Sequence, residues 1–191
     1  MRRLLETIVL FLILINPLKA DDIQSFEIDG MSIGDSLLKY FNEKEINNSI
    51  KTEYASKKFY SVHFSSDLNN YDQYSFSIKS GDKKYMIYDL SGDIYFVDDL
   101  SGCLKKKKEI VKEISSMYSS IKKENYSHKY KTIADGKSIS EVTDLEFKNG
   151  FIRIYCNSYS KETEKLGFKD SLVVSISNNE FMDWLNNEAY K

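Results

Sequence analysis

Histidine is the side chain that most often moves protons near neutral pH, and this sequence has two of them. His63 falls on the polar side of an alternating, strand-like segment, and His128 falls in a stretch rich in lysine, serine and tyrosine. Neither has a partner motif typical of a nucleophile and its base, and the chain has no G-x-S-x-G, H-E-x-x-H or glycine-rich phosphate loop. The sequence therefore predicts no catalytic residue, no metal site and no cofactor.

The first twenty residues have the pattern of a secretory signal peptide. Arg2 and Arg3 form a positive start, an apolar run covers 8–15, and Ala20 offers a small residue for cleavage. The apolar run is far shorter than the roughly 20 residues that cross a bilayer. We expect 1–20 to be removed, giving a periplasmic or secreted protein without a transmembrane segment; an uncleaved N-terminal anchor is the alternative.

Export changes the interpretation of the two cysteines. In an oxidising compartment, two cysteines allow a single intramolecular pairing. The sequence predicts a disulfide between Cys103 and Cys156, enclosing a ring for which the chain-entropy model gives at most roughly 4 kcal/mol of stabilisation. A redox-active role is disfavoured because neither cysteine belongs to a C-x-x-C pair.

The charge distribution argues against a nucleic-acid partner. Cleavage would remove three cations and Glu6, which changes the net charge from −2 to −4. Arg153 would then be the only arginine, and arginine forks are the groups that grip phosphates and bases best. If the protein has a macromolecular partner, we expect another protein of the cell envelope.

Two charged clusters each allow a functional and a structural interpretation. The carboxylates of Asp89, Asp93 and the pair Asp98-Asp99 could gather around Ca²⁺, but their spacing does not match an EF-hand, and turn chemistry is favoured. The lysine run 105–108 opposes the dipole at the start of a predicted helix and could attract an anionic partner. A solvated helix face is the favoured interpretation of this run.

Tyrosine is abundant, at 14 of 191 residues. Its apolar ring and polar tip suit recognition surfaces and half-buried sheet faces equally well. A possible binding surface comprises Tyr74, Tyr85, Tyr88 and Tyr95. This concentration is the best hint of function in the sequence, although packing within the sheet is the favoured explanation.

Helical signals dominate the start of the mature chain. Ser32 with Asp35, and Asn42 with Glu45, have the spacing of capping boxes, and apolar residues follow on one helical face. The sequence predicts a helical hairpin that ends near residue 50.

Strand signals follow, in two groups. Alternating residues predict a four-stranded antiparallel meander, with a turn at Ser91-Gly92. A long amphipathic helix, a polar connection and a hairpin turning at Asn149-Gly150 come next, then a strand and a C-terminal helix. The meander strands lie at 59–65, 74–78, 84–90 and 93–97, the helix at 103–122, the connection at 123–140, the hairpin strands at 142–147 and 151–157, and the last strand at 171–177. These elements predict one α+β domain over 21–191, with possible halves at 26–122 and 140–191.

The segment FEIDGMSIGDSLLKYF at 26–41 resembles the opening of small exported bacterial proteins of unknown function. The likeness extends to DKKY at 82–85 and to Cys103 with its helix. A fainter similarity is to the small lipoprotein subunit of the outer-membrane β-barrel assembly machine and to β-lactamase-inhibitor modules, which place a helical hairpin before an antiparallel meander. The resemblance implies an exported α+β protein and supplies no activity.

The expected function is therefore non-catalytic binding or scaffolding in the cell envelope, through an open sheet face or edge. The competing hypothesis is a hydrolase-type enzyme whose site is assembled from scattered aspartate, serine, tyrosine and His63. His63 buried in a cleft beside a carboxylate would favour the enzyme, and a flat, tyrosine-lined surface would favour binding.

Overall fold

The computed structural model describes residues 22–66, 70–118, 121–131 and 133–191, so the predicted signal peptide lies outside the described residues. Within these ranges the chain forms ten β-strands and four α-helices. In chain order they are β1 (Glu27–Ile28), β2 (Met31–Ser32), α1 (Glu43–Asn48), β3 (Ile50–Glu53), β4 (Phe59–Ser65), β5 (Gln73–Lys79), β6 (Ile87–Tyr95), α2 (Leu100–Met117), β7 (Lys122–Lys129), β8 (Ile139–Phe147), β9 (Gly150–Ser158), α3 (Lys161–Glu164), β10 (Ser171–Asn178) and α4 (Asn179–Asn187).

Eight of the strands form one antiparallel sheet. Its order is β3-β4-β5-β6-β10-β9-β8-β7, while β1 and β2 pair separately as a small hairpin. The last strand, β10, therefore lies in the middle, antiparallel to both β6 and β9. Because β10 joins strands from the first and second halves of the chain, both halves share one sheet.

One face of the sheet, which we call the covered face, carries the main core. Alternate residues such as Phe76, Leu90 and Ile154 are fully buried there, under α2 and the N-terminal segment. The predicted disulfide is confirmed on this face, where Cys103 of α2 joins Cys156 of β9 with their Cα atoms 6.0 Å apart. No helix among the described residues is long and apolar enough to span a membrane.

The opposite side, which we call the open face, is covered by a helix at one end only. There α4 packs Phe181 and Trp184 against Phe59 at the start of β4, in a separate small cluster. The Trp184 indole donates a hydrogen bond to the Ser56 hydroxyl at 2.7 Å. The rest of the open face is lined by polar and aromatic side chains.

The predicted α+β class, led by a helical hairpin, is wrong, because the protein is mostly β. Only the second half of that hairpin forms an α-helix, α1 with its capping box at Asn42 and Glu45, while the first half contains a short 3₁₀ helix at Leu37–Lys39. In the first half, the Ser32 backbone amide donates a hydrogen bond to the Asp35 carboxylate. However, Gly34 adopts a left-handed backbone conformation (φ +86°), and its amide bonds the Ile87 carbonyl and not a carbonyl one helical turn earlier.

The predicted turn at Ser91-Gly92 is also wrong, because β6 runs straight through these residues. Gly92 is needed for a close approach on the covered face, where the Tyr71 ring lies against its backbone. A Cβ atom added at Gly92 would lie 2.5 Å from that ring. The glycine therefore marks a packing site and not a chain reversal.

The predicted polar connection 123–140 contains a strand. α2 ends at Met117, and β7 follows as an edge strand whose eight residues are all exposed. An edge strand exposed on both faces needs no apolar alternation, so its sequence gives no strand signal. Its lysines are typical of protected sheet edges.

Candidate functional site

The open face is built from the residues that alternate with the core positions. Cross-strand pairing places His63, Ser75, Ser91 and Ser175 in one row, and Gln73, Asp93, Val173 and Tyr155 in the next. Short hydroxyl side chains dominate the centre, so ligand-sized space remains above them. Serines on this face are Ser61, Ser75, Ser77, Ser91, Ser140, Ser171, Ser175 and Ser177.

A groove of about 290 Å³ lies in this face. It is lined by residues of β5, β6, β10 and β9 and by the loop 167–169. This volume is at the lower end for small-molecule sites. Its floor includes Asp93, Val173 and Ser171, and aromatic rings form much of its wall.

The aromatic wall is a continuous set of contacting rings. Tyr130 stacks on Tyr159 with centroids 6.0 Å apart, and Tyr159 contacts Phe168 at 5.2 Å. Tyr95 also lines the groove, with the Lys169 ammonium 4.4 Å from its ring centroid. The groove thus offers ring faces together with hydroxyl groups.

Asp93 is the distinctive polar group of the groove. Across the described ranges, its carboxylate makes no hydrogen bond and no ion pair with the protein. Burial, together with the nearby negative charge of Asp72, raises the pKa of Asp93 to about 7. Asp93 can therefore switch between a hydrogen-bond donor and an anion near neutral pH.

Asp89 lies four residues away on the same face but is satisfied by the protein. Its carboxylate accepts hydrogen bonds from the hydroxyls of Ser175, at 3.1 Å, and Ser177. Burial still dominates and raises the pKa of Asp89 to about 6. Asp89 therefore belongs to the internal structure of the sheet, whereas Asp93 faces the groove.

His63 lines the groove but both of its ring nitrogens are engaged. Nδ1 lies 2.7 Å from the Ser75 hydroxyl and Nε2 lies 2.9 Å from the Thr52 hydroxyl. Burial lowers the pKa of His63, which favours the neutral ring. The cleft thus contains His63 and a carboxylate, but among the described residues no hydrogen bond joins the two.

Arg153, the one arginine of the predicted mature chain, is also internally paired. Its guanidinium donates two hydrogen bonds to the Asp144 carboxylate, at 2.7 and 2.8 Å. These bonds raise the pKa of Arg153. Arg153 is therefore committed to Asp144 on the neighbouring strand β8.

The four tyrosines singled out as a binding surface do not lie together. Tyr74 is buried on the covered face, where its hydroxyl bonds Asp29, and Tyr85 is buried with its hydroxyl 3.0 Å from the Glu43 carboxylate. Tyr88 packs on Phe59, and Tyr95 alone lines the groove. The surface predicted as one unit is divided among three environments.

The other groove aromatics were not singled out from the sequence. Tyr155 belongs to the alternating strand after Asn149-Gly150, so its face could have been assigned from periodicity. Tyr130, Tyr159 and Phe168 lie outside the named strands, and only the tertiary fold brings them together.

The carboxylates around Asp98 are already paired with the protein or used in capping. Asp98, Glu164 and Asp170 bring carboxylate oxygens within 4.8 Å of one another. However, the Lys161 ammonium lies 2.6 Å from Asp98 and 2.9 Å from Glu164, and Asp170 accepts from the Tyr159 amide. Asp99 caps α2 through the Gly102 amide at 2.8 Å.

The lysine run 105–108 lies in the second turn of α2 and not at its first residue. Lys107 is largely buried, and its ammonium donates to the Glu141 carbonyl at 2.7 Å. Burial lowers its pKa. Lys106 forms an i,i+3 pair with Glu109 at 3.8 Å, so part of the run supports the fold.

Comparison with known proteins gives no further information about this groove. The chain matches no family model, no curated protein and no solved structure. Its function is therefore argued from the groove.

Proposed function

We propose that this is an exported, non-catalytic binding protein that holds a small polar ligand in the groove of the open face. The observation that carries the proposal is the Asp93 carboxylate, left without a protein partner beneath a wall of aromatic rings. The Asp93 side chain is half-buried, so its carboxylate oxygens can be reached from the groove and can bond a ligand there. A ligand that contacts Asp93 would supply the missing interaction.

The state of His63 supports binding over hydrolysis. A general base needs a nitrogen lone pair directed at the reacting proton. Thr52 and Ser75 engage both nitrogens of His63, and the residues described by the structure show no carboxylate that orients the ring. The groove therefore has recognition groups without an assembled nucleophile and base.

The disulfide supports the exported location. Structural disulfides persist in oxidising compartments, and Cys103–Cys156 links α2 to β9 in the core. The leader-like pattern of residues 1–20 points the same way.

Charge on the edge strands favours the groove over scaffolding by strand addition. Strand addition requires an accessible and unprotected sheet edge. β7 begins with Lys122 and Lys123 and ends at Lys129, and β3 carries Lys51 and Glu53, all exposed. Charged edges of this kind oppose pairing with another chain.

The proposal is tested by filling the groove. We expect Ser91→Trp, which places an indole among the groove serines, to abolish ligand-induced changes in ¹H–¹⁵N NMR spectra of the disulfide-bonded protein titrated with small-molecule extract of the native envelope. Ser116→Trp, on the exposed side of α2, is the matched control and should respond as the wild type does. An extract that leaves the groove resonances of the wild type unchanged would contradict the proposal.

A further inference from the structure

The surroundings of Asp93 indicate what kind of ligand the groove takes. Its neighbours on the open face are Ser91 and Tyr95 along β6, and Gln73 and Val173 across it. The Tyr95 hydroxyl is directed to Gln73 at 3.3 Å and not to Asp93. The carboxylate therefore faces the groove with its hydrogen-bonding capacity unused by the described residues.

Charge is also uncompensated at this position. Asp72 adds a second negative charge nearby, because its backbone amide bonds the Asp93 carbonyl at 2.8 Å and its carboxylate accepts from the Tyr95 amide. Lys169, the lysine that lines the groove, has its ammonium held over the Tyr95 ring. No ion pair joins Lys169 or Arg153 to Asp93 in the described ranges. A neutral ligand would leave this negative charge uncompensated, and an anionic ligand would add to it.

The rings provide the second element of recognition. Ring faces attract a cation within about 6 Å of the centroid, most strongly where water is excluded. Lys169 already demonstrates this chemistry, with its ammonium 4.4 Å from the Tyr95 centroid. Tyr155, Tyr159 and Phe168 present further aromatic surface in the same groove.

We propose that the groove binds a small organic ammonium compound, whose cationic nitrogen pairs with Asp93 while its alkyl groups pack on the aromatic wall. This inference rests on the proposed function and gives the ligand its chemical class. A groove of about 290 Å³ suits a compound of a few carbon atoms and not a folded partner.

The test compares choline with 3,3-dimethylbutan-1-ol, an uncharged compound of the same shape, by calorimetry and NMR at pH 8. We expect choline to bind saturably, with shifts at Ser91, Tyr95 and Val173, and the uncharged compound to bind about tenfold more weakly. Asp93→Asn should weaken choline binding by about tenfold, because it removes the negative charge that attracts the quaternary nitrogen. Asp183→Asn, an exposed charge-matched change on α4, should leave it unaffected.

The Lys169→Gln variant distinguishes a cationic ligand from ligands of other chemical classes. Removal of the competing ammonium over Tyr95 should tighten choline binding, whereas a ligand that used Lys169 as its partner would bind more weakly. Equal binding of choline and its uncharged analogue, or unchanged binding by Asp93→Asn, would overturn the ammonium inference. If choline fails while another solute shifts the groove resonances, only the ligand class is wrong; if no solute does so, the proposed function fails as well.

Discussion

At the scale of single residues, surroundings separate two aspartates that the sequence presents alike. Asp89 and Asp93 lie on the same strand and the same face, yet Asp89 is bonded by two serines and Asp93 by no described side chain. Serines on β10, far away in the sequence, make this difference. The sequence could predict carboxylates near a sheet face, but it could not tell which one is left for a ligand.

Asp93 should make the protein less stable as the pH rises. Its pKa is raised from 3.8 to about 7 in the folded state, so the folded protein holds this proton more tightly than the unfolded chain. The resulting stabilisation is fully present below about pH 4 and is lost as the pH rises through about 7. We expect Asp93→Asn to be more stable than the wild type at pH 8 by on the order of 2 kcal/mol, allowing for solvent screening.

Urea unfolding between pH 4 and 8 measures this effect. The difference in the free energy of unfolding between Asp93→Asn and the wild type should grow with pH across this range. Asp183→Asn serves as the control because its side chain is exposed on α4. A difference that stayed constant with pH would show that Asp93 ionises normally.

At the scale of elements, the structure shows that a glycine in a predicted turn can mark a packing site. The hairpin turns at Lys148-Asn149, and Gly150 begins β9, where an added Cβ atom would lie 2.3 Å from the Ser177 carbonyl oxygen. Gly92 lies inside β6 beneath the Tyr71 ring. Local sequence does not show the contact at Gly92, because Tyr71 lies before β5 and reaches Gly92 only in the folded sheet. The same holds for β7, whose exposed residues lack periodicity.

Gly92→Ala should destabilise the protein by about 1–3 kcal/mol, since the added methyl group meets the Tyr71 ring at 2.5 Å. Thermal and urea unfolding would measure the loss. Combining Gly92→Ala with Tyr71→Ala removes the clash, so the double variant should lose less than the sum of the single variants. Strict additivity would contradict the assigned contact.

Several elements were predictable because their signals are local. Alternation and the Asn149-Gly150 turn predicted the strands that became β4, β5, β8, β9 and β10, and helical periodicity predicted α2. The capping box at Asn42 predicted α1. The predicted fold class was wrong because the backbone at 34–37 forms hydrogen bonds with the backbone at 85–87. No local sequence pattern indicates that pairing.

At the scale of the whole molecule, the disulfide connects the helix of the covered face to a central strand. Cys103 and Cys156 are 53 residues apart, so the cross-link restricts the unfolded chain considerably. It was predictable from composition together with the expected export, because two cysteines allow only one internal pairing. The position of the groove was not, because it depends on β10 entering between β6 and β9.

Loss of the disulfide should lower the free energy of unfolding by about 2–4 kcal/mol. Urea unfolding of the oxidised protein, with and without dithiothreitol, measures this difference. The double variant Cys103→Ser/Cys156→Ser should resemble the reduced protein and be insensitive to dithiothreitol. Equal stability of the oxidised and reduced wild type would refute a stabilising role.

Calorimetric titration with choline at two pH values would show whether Asp93 holds a cationic ligand in the groove. Choline keeps its charge at every pH, whereas Asp93, with a pKa of about 7, ionises between pH 6.5 and 8.0. Burial lowers the pKa of His63 and raises those of Tyr95 and Tyr159, so these neighbours stay mainly neutral over this range. We expect choline to bind roughly threefold more tightly at pH 8.0 than at pH 6.5; binding of equal strength at both pH values would contradict a role for the Asp93 charge.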